Sequence, residues 1–191
     1  LMIGTARDEA TMFNVMDPLF GRMTADQAKA KFVALLGARG EAALEVYKAA
    51  QPDDPPTYWV SSLVTDTLLR NNSILQADRK ADQRTAPVYA YSVDYQPNVA
   101  GRALRSSHGV EVPLMFGNLL PAEFIGTGRE LPELSRQPMQ MWINFARTGN
   151  PSIKGHAWPR YNTRTRPTMI IDTPFRIAND PNKAAREFWS A

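Results

Sequence analysis

Two short β-type runs, over residues 1–4 and 87–95, flank a long stretch written in helical spacing, and each leads into a polar segment holding an ionisable side chain. The first, Leu-Met-Ile-Gly, leads to Glu9; the second, rich in β-branched and aromatic residues, leads through a polar loop to His108. Strands that alternate with helices at this spacing point to an α/β fold: mostly parallel strands flanked by helices. A third run, Thr168-Met169-Ile170-Ile171-Asp172, is expected to be the last strand.

The helical signals are local and explicit. Thr24 is a good N-cap, and Gln27 three residues later completes a capping box. Phe32, Val33, Leu35 and Leu36 are expected to form the apolar face of that helix, which ends across residues 37–40. A second helix is expected over 41–50 with Leu44 and Tyr47 on one side, followed by a proline-rich loop at 51–56. From Thr57 the steps of three and four at Trp59, Val60, Leu63, Val64 and Leu68 predict one helix to about Asp82. Leu134, Pro138, Met141, Trp142 and Phe145 mark a helix over 131–148, stopped by Gly149 and Pro151. A terminal helix is expected at 184–189.

At 191 residues the chain suits a single domain with one sizeable core, 1–191, without repeats or a second domain. Its 43% hydrophobic and 21% charged residues are those of an ordinary globular protein. Net charge is +3, and the arginines are dispersed rather than interleaved with aromatics, so no nucleic-acid partner is expected. With no cysteine, disulfides and thiolate metal sites are excluded. No His/Asp/Glu spacing suggests a metal, and no apolar run approaches the ~20 residues of a membrane span. The opening residues read as the middle of a buried strand. Residue 1 is therefore expected to be an internal point of a longer protein.

A histidine near a carboxylate can move protons at neutral pH, and acid followed by histidine is the chain order of the hydrolases whose serine comes first. Asp8 and Glu9 are both candidates for the acid. Neighbours at a strand end point in different directions, so only one can face His108. Glu111, one turn beyond the histidine, is expected to satisfy local backbone donors, and His156 to be a solvated surface residue. Tyr58, Trp59, Met12 and Phe13 are either pocket wall or core, with core packing the expected role.

Four ordered motifs carry a resemblance. Gly4-Thr5-Ala6-Arg7-Asp8-Glu9 resembles the acid motif of the type-B carboxylesterases, the cholinesterase and para-nitrobenzyl esterase family. Ser107-His108-Gly109-Val110-Glu111-Val112-Pro113 with Phe116-Gly117 is similar to the family's histidine motif. Trp142-Ile143-Asn144-Phe145-Ala146-Arg147-Thr148-Gly149-Asn150-Pro151 and Trp158-Pro159-Arg160-Tyr161 resemble its later signatures. The chain departs from the pattern at Ala10, where the family has glycine.

The resemblance implies a serine esterase of the α/β-hydrolase fold, with Glu9 as triad acid and His108 as general base. It also implies a small-molecule carboxylic ester as substrate and no cofactor. No Gly-x-Ser-x-Gly elbow occurs in the chain. The nucleophile is therefore expected from an upstream, N-terminal part of the same protein, of which this is the C-terminal portion, inactive by itself. The other reading is a catalytically inactive cholinesterase-like binding or adhesion protein; retention of both Glu9 and His108 argues against it.

Overall fold

The computed structural model describes residues 1–120 and 122–191. In chain order the elements are β1 (Met2–Ala6), the single turn α1 (Thr11–Asn14), α2 (Ala25–Leu36), α3 (Gly40–Ala50), α4 (Pro56–Thr65) and α5 (Asn71–Asp82). There follow β2 (Tyr89–Val93), α6 (Glu111–Phe116), α7 (Ala122–Ile125), α8 (Leu131–Thr148), β3 (Pro167–Ile171), β4 (Arg176–Asn179) and α9 (Lys183–Ser190).

Helix makes up 51% of the described residues and strand 11%. This corrects the expected α/β architecture of mostly parallel strands flanked by helices: the chain is mostly helical, and its sheet is small and open. The reason lies in the connections. The strands hold only four or five residues each, whereas residues 7–88, between β1 and β2, contain helices and turns but no strand.

The four strands among the described residues run in the order β1-β2-β3-β4. β1 pairs parallel with β2, Ala6 lying opposite Val93, and β2 pairs parallel with β3. β4, which the sequence did not announce, closes the edge antiparallel to β3. Gly4 makes the β1–β2 approach possible, because a Cβ there would lie 2.1 Å from the Tyr91 carbonyl oxygen and 2.6 Å from its ring.

Three apolar clusters result among the described residues, the smallest of them Ala77, Val88, Ala90 and Tyr161. Against the sheet, Ala6, Val93, Met169 and Ile171 pack with Leu114 and Met115 of α6 and Leu131, Leu134 and Met141 of α8. Trp142 and Phe145 lean on this core half-buried. The second core is helical: Ala28 and Phe32 of α2, Leu44 and Tyr47 of α3, Trp59, Val60 and Leu63 of α4, and Ala185 of α9.

Local signals position several of these helices. Thr24 and Gln27 form both bonds of the capping box, at 3.2 and 2.9 Å. Gly149 ends α8 in the left-handed conformation (φ 74°), its N–H bonding to the Phe145 carbonyl. Other details differ from expectation. Val33 and Leu35 face solvent. The single helix expected from Thr57 to Asp82 is interrupted by a π-type turn at Asp66–Arg70, which carries both ionic side chains inward.

Candidate active site

The parallel pairing of β1 and β2 brings the two strand ends to the same edge of the sheet. From there the chain folds the acid turn and the histidine loop onto each other. The Arg7 N–H donates to the Val93 carbonyl (2.8 Å), and the Asp8 N–H to Ser106 (2.9 Å). The Ser106 hydroxyl bonds back to the Val93 carbonyl, and the His108 N–H reaches the Glu9 carbonyl at 3.3 Å. Ser106 has no exposed surface, so its bonds to Asp8 and Val93 form without competition from water.

Glu9 is buried (4% exposed), and both of its oxygens are engaged. Oε1 accepts the Ala6 N–H at 2.8 Å, and Oε2 lies 2.7 Å from His108 Nδ1. The backbone bond orients the carboxylate and the carboxylate orients the ring. With Nδ1 committed to Glu9, Nε2 is the ring nitrogen left for proton exchange, and the imidazole side chain is 48% exposed. A buried acid behind a half-open imidazole is the arrangement that steadies an imidazolium as it forms.

Asp8 takes the other direction. Its carboxylate accepts Arg7 Nε at 2.9 Å and the Ser106 N–H at 3.3 Å, so it braces the loop and leaves the ring to Glu9. Ala10 sits in ordinary helical backbone (φ −77°, ψ −8°), which explains why glycine is not needed there. Its N–H donates to the Thr65 hydroxyl of α4 at 3.0 Å, tying the acid turn to the helical core.

Met12 and Phe13 are not core residues. They are 42% and 50% exposed on α1, and the Phe13 ring lies 5.4 Å from the imidazole centroid. Trp59 is buried as expected, its Nε1–H bonded to the Gln51 carbonyl. Glu111 meets its expected role in part: its carboxylate accepts its own backbone N–H, while its Oε2 is buried without a hydrogen-bond partner. Burial pushes the Glu111 carboxyl above its usual range; its own amide opposes this, the Glu9 charge adds to it and His108 opposes it. His156 is half-buried, its ring 5.4 Å from Phe175, and its backbone pairs with Ile153.

Phe13 takes the pocket-wall alternative, whereas no sequence spacing announced Thr65, which reaches the acid turn through tertiary contact with Ala10. Among the described residues, no three His, Asp or Glu side chains could hold a metal ion, and no helix is long and apolar enough to cross a membrane.

An acid and a histidine thus meet in the loops that follow two adjacent parallel strands. The family model described as "Carboxylesterase family" matches residues 1–189, and the chain belongs to that family. It is 32% identical over 192 aligned residues to a para-nitrobenzyl esterase of Bacillus subtilis (strain 168), covering 98% of this chain and 37% of that protein. Among solved structures, a PNB esterase superposes with a TM-score of 0.72 at 30% identity, over 98% of this chain and 37% of the other. A carboxylesterase of Geobacillus stearothermophilus gives 0.78 at 28% identity, over 98% and 40%. The chain thus spans well under half the length of these relatives.

Proposed function

We propose that the protein hydrolyses small-molecule carboxylic esters and that this chain contributes two thirds of its catalytic triad. Glu9 is the acid and His108 the general base. The observation that carries this reading is the 2.7 Å contact between Glu9 Oε2 and His108 Nδ1, behind an imidazole open on its other side. Membership of the carboxylesterase family and likeness to proteins named as esterases support it.

In this scheme a serine hydroxyl from an upstream segment attacks the ester carbonyl while His108 Nε2 takes its proton. Glu9 stabilises the resulting imidazolium. The imidazolium then protonates the departing alkoxide, which leaves as the alcohol, and the acyl group stays on the serine. Water, deprotonated by the same imidazole, releases the acid and restores the serine. Residues 1–191 form the C-terminal portion of the domain and by themselves lack a nucleophile elbow.

A fluorophosphonate probe tests the assignment. It should label the full-length protein and leave the 191-residue chain unlabelled. Labelling of the isolated chain, or a full-length protein that neither reacts with the probe nor turns over an activated ester, would overturn the reading. The second outcome would favour a binding protein.

A further inference from the structure

Between β2 and His108 the chain follows a path that side chains resist. Ala100, Gly101, Arg102 and Arg105 all have positive φ, at 46°, 61°, 65° and 51°, and three of the four are not glycine. Such a loop keeps one conformation only where its surroundings impose it. Arg105 meets those surroundings most fully. Its guanidinium makes two bonds to Asp54, Nη1 to Oδ2 at 2.7 Å and Nη2 to Oδ1 at 2.6 Å. It also lies 3.3 Å over the centroid of the Tyr58 ring, and Nη1 is 4.0 Å from Asp8 Oδ1. The Tyr58 hydroxyl donates to the Ala103 carbonyl at 3.1 Å, closing the clamp on the loop itself.

One side chain therefore joins three separate segments. Asp54 and Tyr58 belong to the entry of α4, Asp8 to the acid turn beside Glu9, and Arg105 to the loop that ends in His108. Only Ser106 and Ser107, both buried, lie between Arg105 and the imidazole. The guanidinium side chain is 17% exposed, so water weakens these contacts little. A lysine could supply the charge but neither the two-pronged fit to a carboxylate nor the flat face for an aromatic ring.

We propose that Arg105 is a positioning residue that holds the His108 ring in register with Glu9, acting through Asp54, Tyr58 and Asp8. Its kinetic consequence rests on the esterase reading above; its structural consequence does not. Removing the guanidinium takes away both bonds to Asp54 and the stacking on Tyr58 and frees the loop. The ring then spends less time in line with Glu9, and misplacement on this scale costs about a hundredfold in rate.

The test uses the full-length protein carrying Arg105→Ala, Arg105→Lys, Asp54→Asn and the Arg105→Ala/Asp54→Asn pair. Turnover of para-nitrophenyl acetate and the thermal midpoint are measured. Ring spectra of ¹⁵N-histidine-labelled protein are also recorded, with the His108 signal assigned from His108→Gln. Arg105→Ala and Asp54→Asn should lower kcat about 10- to 100-fold with KM within about twofold. The paired variant should be no worse than Arg105→Ala, because both changes break the same clamp. Arg105→Lys should recover part of the loss. The His108 Nδ1–H signal should broaden or move in the same variants while that of His156 stays.

Wild-type kcat with an unmoved His108 signal overturns the proposal. So does a loss of activity that only follows the thermal midpoint while that signal stays in place. If Arg105→Ala does not fold, Asp54→Asn decides by the same criteria. A wild-type protein without ester turnover whose His108 signal still responds to these variants counts against the esterase reading and for the clamp.

Discussion

The helical unit of α2, α3, α4 and α9 and the sheet unit of β1–β4 with α6 and α8 reach similar burial by different routes. In the helical unit, α2, α3 and α4 follow one another in sequence, and short-range signals set their ends. The sheet unit pairs residue 6 with residue 93 and residue 93 with residue 171, so its geometry depends on distant segments finding one register. The candidate site lies on the seam. Its two principal residues follow sheet strands, while Thr65, Asp54 and Tyr58 hold it from the helical side. The difference teaches that a histidine–carboxylate pair in loops that follow strands can be contacted from a neighbouring helical body.

The largest expected effect comes from breaking the pair itself. On the proposed esterase reading, His108→Ala in the full-length protein should lower kcat roughly a million-fold and Glu9→Gln about ten-thousand-fold, the losses known for catalytic triads. Steady-state assays with circular dichroism check that the loss is chemical and not a failure to fold. Turnover near wild type in either variant would take the site away from the strand ends.

Next is the link by which the helical unit supports the acid turn. Arg70 is buried, pairs with Asp66 and reaches the Arg7 carbonyl, while the Tyr47 hydroxyl bonds Asp66 at 2.6 Å. Trp189 Nε1–H of α9 donates to that hydroxyl at 2.9 Å. Asp66→Ala strands a buried guanidinium and should cost about 3–5 kcal/mol of stability, read from urea unfolding. A cost below about 1 kcal/mol would mean that the seam is wetter than its burial implies.

Smaller changes sharpen the contrast between local and distant determinants. Thr24→Ala removes a cap and should cost about 1 kcal/mol with activity unchanged, since the capping box lies outside the site. Ala10→Gly should leave kcat unchanged and lower stability by about 0.5–1 kcal/mol, because this backbone has no use for the extra freedom.

Glu111 supplies a pH test. A carboxyl raised by burial stabilises the fold most when protonated, below its ordinary value of 4.5, and that contribution is lost as pH rises through the raised value. Glu111→Gln should therefore match the wild-type thermal midpoint in acid and exceed it at neutral pH. The reverse order would show that the charged form has a partner in the folded protein.

The helices whose ends are set locally were legible residue by residue. Thr24 with Gln27, Pro151 after Gly149, and the Leu44/Tyr47 face all act over a few residues. The helix expected beyond Thr57 was legible in its apolar spacing, but its interruption was not. The π-type turn at Asp66–Arg70 is stabilised by Tyr47 and by the Arg7 carbonyl, neither of which is near in sequence. Similarly, an alternating pattern of strands and helices suggested a sheet-led domain because it records the presence of strands but not their shortness. β4 was missed since four mostly exposed residues carry no apolar alternation.

By itself the chain's sequence determined where α2, α3 and α8 begin and end, and it named Glu9 and His108 as the groups able to exchange a proton. Those properties follow from side-chain chemistry and from contacts within a turn or two. The tertiary structure brings Glu9, the acid the resemblance implied, and not Asp8 to the imidazole, and it alone decided that Phe13 lies beside the ring and that Arg105 spans three segments. Each of these depends on strand register and on packing between residues some fifty to a hundred positions apart, and no local pattern encodes distances of that kind.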